Sequence, residues 1–145
     1  MARLWAARAE SGTSDTGCRN PGMHSEQKPV VLLVENEAVI RMETALAIED
    51  AGYAVLAVGN ADEAITVLNA RDDICAVFTE IRLPGQLNGL DLGRGIAERW
   101  PQMRVIVTSG DRRQHNFPAD WRYIQKPYHG SQIINALRAL VPPGS

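Results

Sequence analysis

The stretch Val30-Val-Leu-Leu-Val-Glu-Asn-Glu37 sets an unbroken apolar run against an abrupt polar end. A short continuous run of this kind reads as a strand buried on both faces, because a half-buried strand would alternate apolar and polar residues. Downstream, Glu37 to Gly52 carries Ile40, Thr44, Ala47, Ile48 and Ala51 at the 3–4 spacing of a core-facing helix, with Gly52 as its stop. Tyr53 to Val58 reads as a strand, and Ala61 to Arg71 as a helix capped by Asn60. Ile74-Cys-Ala-Val-Phe78 is a third strand, followed by a loop marked by Pro84-Gly85 and Asn88-Gly89. Leu90 to Trp100 is a helix halted by Pro101. Met103-Arg-Val-Ile-Val107 and Trp121 to Gln125 are strands, and Ser131 to Leu140 is a last helix. Strands alternating with helices predict a parallel sheet covered on both faces. In such sheets the chemistry collects beyond the carboxyl ends of the strands.

The length of 145 residues and an apolar share of 45% suit one domain with a real core. A net charge of -2, with no basic block interleaved with aromatics, argues against direct nucleic-acid binding. No apolar run approaches the roughly 20 residues that span a bilayer. The opening Met1 to Ala9 is broken by Arg3 and Arg8, unlike a secretory leader. No membrane association is expected, and a cytoplasmic location is. Cys18 lies in a polar tail and Cys75 in an apolar strand, so a structural disulfide between them is not expected and the pair suits a reducing compartment. Residues 1–28 read as a flexible extension, 29–141 as the domain and 142–145 as a tail, leaving no room for an attached output domain. Residues 1–22 are expected to be dispensable for folding.

The strand ends hold the informative residues. Glu35-Asn36-Glu37 follows the first strand, Thr79-Glu80 the third, Thr108-Ser109-Gly110 the fourth and Lys126-Pro127-Tyr128 the fifth. Acids, a hydroxyl and a lysine thus converge on one rim. Acids hold Mg2+, a hard cation that takes oxygen ligands, and a hydroxyl with an ammonium neutralises phosphoryl oxygens. A small-molecule enzyme is not indicated, since there is no phosphate-cradling glycine loop, nucleophile elbow or metal cluster. The protein is therefore not expected to be an enzyme.

The ordered set Val34-Glu-Asn-Glu37, Phe78-Thr-Glu-Ile-Arg-Leu-Pro-Gly85, Val107-Thr-Ser-Gly110 and Gln125-Lys-Pro-Tyr128 resembles the receiver domains of two-component response regulators, over about residues 29–141. The resemblance implies an α/β, flavodoxin-like doubly wound (βα)5 fold with a five-stranded parallel sheet in the order 2-1-3-4-5. It implies phosphorelay signalling with a histidine kinase or other signalling protein as partner, through protein–protein contacts. By position, Glu35 and Asn36 match the acidic pair that holds Mg2+, and Glu80 matches the phosphorylated aspartate. Arg82 matches the residue whose backbone carbonyl joins the metal shell. Thr108 matches the switch hydroxyl, Tyr123 the aromatic that changes exposure and Lys126 the phosphoryl-sensing lysine.

Three departures matter. Glu80 is longer than aspartate by one methylene, about 1.5 Å, where productive placement tolerates about 0.5 Å. Asn36 is neutral, so Mg2+ is expected at most weakly. Only a polar, proline-terminated stretch, Gly110-Asp-Arg-Arg-Gln-His-Asn-Phe-Pro118, leads into the fifth strand, so the helix between strands four and five is expected to be short, irregular or absent. Glu80 carries three readings: a built-in mimic of the phosphorylated state that reaches Lys126, a degenerate site, or a working phosphoacceptor that takes its phosphoryl group from a kinase or phosphotransfer partner with Mg2+. On the first helix, Val39, Met42 and Leu46 form a second apolar stripe off the core face, read either as a partner surface or as tolerated exposure.

Overall fold

A computed structural model describes residues 28–110 and 117–143 of the chain. Five parallel strands, β1 (Val30–Val34), β2 (Ala54–Val58), β3 (Ile74–Glu80), β4 (Arg104–Ser109) and β5 (Arg122–Gln125), form one sheet in the order β2-β1-β3-β4-β5. The helices α1 (Ala38–Asp50), α2 (Ala61–Ala70), α3 (Gly89–Arg99) and α4 (Gly130–Leu140) cover it. This is the doubly wound arrangement and strand order that the resemblance implies.

Two apolar layers follow from the period-2 geometry of the strands. Val30, Leu32 and Val34 of β1 face one way and pack with Ala64, Ile65 and Leu68 of α2 and Leu92 and Ile96 of α3. Val31 and Leu33 face the other way, onto Ile48 of α1 and Ile133 and Leu137 of α4. Every residue of β1 is buried, which is why its sequence shows no alternation. The Tyr53 hydroxyl, buried at the start of β2, donates to the Val141 carbonyl at 2.6 Å and ties the end of α4 to the sheet.

Helix starts follow local chemistry. The Asn60 side chain accepts from Glu63 N–H at 2.8 Å to open α2. Asn88 and Asp91 form a reciprocal capping box at the start of α3. The third strand runs on through Thr79 and Glu80, beyond the apolar residues that announce it, because pairing with β4 continues to Glu80↔Thr108. No helix lies between β4 and β5 among the described residues, and residues 111–116 fall outside them. Phe117, Trp121 and Tyr123 line this side, with Phe117 stacked on both other rings at centroid distances of 6.1 and 6.0 Å.

The cysteine expectation needs correction. Cys75 is buried and disulfide-bonded, whereas Cys18, with the rest of residues 1–27, lies outside the described residues. An apolar run announces burial but does not distinguish a thiol covered by core from a sulfur covered by a bond. The cysteines therefore no longer argue for a reducing compartment. Among the described residues no helix is long and apolar enough to cross a membrane.

Candidate functional site

Three strand ends and the turn after β5 deliver the site. Glu35 follows β1 directly, is 1% exposed, and its backbone N–H continues the sheet by donating to Val58 O at 3.0 Å. Its carboxylate accepts from Glu37 N–H at 3.0 Å, while its carbonyl accepts from Arg41 Nη1 at 2.9 Å. Glu80 ends β3 in register with Thr108 of β4. Lys126 follows β5, with its N–H donating to Ser109 O at 2.9 Å. That backbone bond fixes where the lysine side chain starts.

The side chains then meet. Lys126 Nζ lies 2.6 Å from Glu80 Oε1, 2.8 Å from Glu35 Oε1 and 3.8 Å from Glu37 Oε1. The contact with Glu80 is a directed hydrogen bond. The contact with Glu35 is close, yet Glu35 Oε1 has no well-directed hydrogen bond. One ammonium therefore faces three carboxylates whose nearest oxygens lie within 4.8 Å of one another.

This crowding separates the acids. Burial raises the Glu80 carboxyl, Glu35 raises it further, and Lys126 only partly offsets them, so Glu80 stands above the ordinary carboxylate value. Burial also pushes on Glu35, but its contact with Glu80, the hydrogen bond from Glu37 N–H and the adjacent Lys126 ammonium outweigh it, and Glu35 stands below that value. Lys126 loses some basicity to burial and regains more from its two carboxylate partners, so it is held above its ordinary value. Glu35 is the charge-bearing member of the pair and Glu80 the readier proton acceptor.

Thr108 is 2% exposed and its hydroxyl has no hydrogen-bond partner among the described residues. Tyr123 sits on β5, half-buried, with its hydroxyl donating to Ser109 O at 3.3 Å. Asn36 and Arg82 are both exposed. The carboxylate beside Glu35 that approaches Lys126 is Glu37, which the sequence reading quoted in its motif without assigning it a role.

The donor set is right for Mg2+ in type: hard oxygens, one of them buried without a directed hydrogen bond. The space between those oxygens, however, holds the Lys126 ammonium. The side chains as they stand therefore do not fit the ion.

Residues 31–138 match the sequence profile of the response regulator receiver domain family. The chain is 32% identical over 124 residues to the hydrogenase transcriptional regulatory protein HoxA of Cupriavidus necator, covering 81% of this chain and 25% of HoxA. It spans about a quarter of the length of the curated relatives it matches. Among solved structures, a response regulator receiver protein from Sinorhizobium medicae superposes with a TM-score of 0.73 at 29% identity, covering 77% of this chain and 93% of that one. The signal receiver domain of an HD domain-containing protein from Pseudomonas fluorescens gives a TM-score of 0.72 at 25% identity, over 79% of this chain and 94% of that one.

Proposed function

Because the chain belongs to the response regulator receiver domain family, we propose that it is a two-component signalling receiver biased toward its active arrangement by a resident Glu80–Lys126 contact. The observation that carries this reading is the 2.6 Å hydrogen bond from Lys126 Nζ to Glu80 Oε1. It places a carboxylate oxygen against the lysine that would otherwise answer a phosphoryl group. The extra methylene of glutamate, about 1.5 Å, supplies the reach. The contact is charge-assisted but shared with Glu35, so its net worth is modest. A gain of about 1 kcal/mol shifts a two-state ratio roughly fivefold, leaving both states populated.

The protein acts by contact with a histidine kinase or another signalling protein. Val39, Met42 and Leu46 support this, being 69%, 64% and 55% exposed along one side of α1. Beside them a cleft of about 570 Å³, lined in part by Ile40, Ala47, Lys126, Tyr128 and Ile133, opens between α1 and α4.

The test is the amide resonances of Thr108 and Tyr123 in the wild type, Glu80→Gln and Glu80→Asp. Both variants should move these resonances in the same direction, away from the wild-type position, as the bias is lost. Unmoved resonances would leave Glu80 as a degenerate site.

A second reading, a working phosphoacceptor at Glu80, draws on the buried Thr108 hydroxyl, which has no partner among the described residues and would donate to a phosphoryl oxygen. Incubation with acetyl phosphate and Mg2+ followed by intact mass separates the two. The wild type is expected to gain no phosphoryl group. A stoichiometric adduct would replace the first reading by the second.

A further inference from the structure

We propose that the exposed apolar stripe of α1 is a docking surface for the chain's own N-terminal segment, residues 1–9, with Leu4 and Trp5 as its anchors. The contact itself is independent of the Glu80 reading. Only its consequence, that a signalling partner must displace the segment to reach α1, rests on the receiver reading.

The surface is small, apolar and acid-edged. Val39, Met42 and Leu46 are the large exposed hydrophobics among the described residues. Glu43, Glu49 and Asp50, exposed on the same helix, border them. The cation of α1, Arg41, is turned away to the Glu35 carbonyl. Three side chains fall well short of the roughly 800 Å² that each partner buries in a stable complex, so two copies of the chain would not hold together through this stripe alone. A short tethered segment needs far less area, because its association is already largely prepaid by the chain.

Residues 1–9 match the stripe in chemistry. Leu4 and Trp5 lie between Arg3 and Arg8, so the apolar anchors arrive with two cations for the acidic border. Tryptophan is among the residues that most often carry the energy of an interface. The chain also brings the segment within reach. Residues 1–27 lie outside the described ones, and the chain enters the domain at Pro29, whose carbonyl accepts from Ala54 N–H at 2.9 Å, just past the Gly52 stop of α1. A coil with the length and the Ser, Thr and Gly content of residues 10–28 spans about 25 Å, while the helix Ala38–Asp50 is about 20 Å long. Cys75 shortens the distance further. It is disulfide-bonded and packs in the same layer as Ile48 of α1. The one other cysteine is Cys18, so a bond closed within the chain would anchor the extension on the side of the sheet that α1 covers. Reach suffices with or without that bond. Tethering sets a local concentration of about 1 mM, so an intrinsic Kd of about 0.1 mM keeps the stripe about nine-tenths covered.

The experiment is methyl NMR of the full chain, read by nuclear Overhauser contacts from the Trp5 indole to the Met42 and Leu46 methyl groups and by the shifts of those methyls. Trp100 and Trp121 are buried and supply separate indole signals. The wild type should show the contacts, hold both methyls upfield under the Trp5 ring, and stay unchanged on dilution. Leu4→Ser combined with Trp5→Ser should abolish the upfield shift. Arg3→Glu combined with Arg8→Glu should lower coverage about twofold, which at that local concentration corresponds to a tenfold loss of intrinsic affinity. A wild type without Trp5 contacts, or methyls unmoved by the Leu4 and Trp5 substitutions, would overturn the docking. Contacts that vanish on dilution would assign the stripe to a second copy instead, and coverage unmoved by reversing both arginines would refute the charge match on which the choice of segment stands. None of these substitutions touches Glu80 or Lys126, so a failure here leaves the receiver reading to the Thr108 and Tyr123 resonances.

Discussion

Lys126→Met should lower the stability of the domain by about 3 kcal/mol, the lower end of what removing one partner of a buried ion pair costs. The Lys126 and Glu35 side chains are 13% and 2% exposed, so water replaces the lost ammonium only in part. Glu80, at 11% exposure, is little better placed. The loss is held to the lower end because the two acids can share one proton once the lysine is gone. For a domain of this size the melting temperature should fall by roughly 10–20 °C. Adding Glu80→Gln to Lys126→Met should recover part of the loss, since one of the stranded charges disappears. A single variant melting with the wild type, or a double variant melting lower than the single, would show that the lysine does not neutralise the cage.

The same cage sets the pH dependence, and the signs differ between its members. Glu35 stands below its ordinary value of 4.5, so its contribution is present above that pH and is lost as pH falls through the depressed folded value. Lys126 stands above 10.5, so its contribution is present below that pH and is lost as pH rises through the raised folded value. Glu80, raised above 4.5, works the other way: its contribution is present at low pH and lost as pH rises. Glu35 and Lys126 are thus both at full effect between about pH 5 and pH 10, a range whose acid side also sees the Glu80 contribution fall away, and Lys126→Met should lower stability across it. Urea midpoints across that range, for wild type and variant, check it.

Gly89→Ala should be comparably damaging, at about 3 kcal/mol, the upper end for overpacking. In an ordinary helix this change would stabilise by up to about 1 kcal/mol. Here a Cβ would overlap the Glu80 carbonyl oxygen and would meet Glu80 C and Ile81 Cα at 2.8 Å. All three are backbone atoms, so no flexible side chain can yield. The approach is set by the bond from Gly89 N–H to Ile81 O at 2.7 Å, which docks the start of α3 on the turn after β3. Relief of the clash must move Glu80, so Gly89→Ala should also disturb the Lys126 contact and shift the Thr108 amide resonance. Gly110→Ala is the control, because among the described residues its Cβ would meet only Lys126 Cβ, at 4.0 Å. Equal melting temperatures for Gly89→Ala and Gly110→Ala would refute the docking argument.

Much of this was legible in the residues alone. The unbroken apolar run of β1 marked a strand buried on both faces, and the helix stripes and stops placed the intervening helices. From these the parallel sheet followed, and with it the rim where Glu35, Glu80, Thr108 and Lys126 gather. These features are local, since a few neighbouring residues set the period, the cap and the stop.

Other features depend on how distant side chains fill one small space, and no window of sequence contains them. Lys126 and Glu80 lie 46 residues apart, and only the folded sheet decides that one ammonium is shared by Glu80 and Glu35 with Glu37 at the margin. The sequence suggested the pair with Glu80 but neither the sharing nor its consequence for metal. Asn88-Gly89 marks only a turn in the sequence, whereas in the fold the Glu80 carbonyl leaves no room for a side chain at Gly89. The disulfide state of Cys75 was likewise invisible in a burial pattern. The sequence determined the chain's secondary structure and the chemical inventory of its rim, because both are written in local pattern. Tertiary structure alone decided which cation the acids hold and which backbone atoms leave no room, because both are set by distances between segments that only folding brings together.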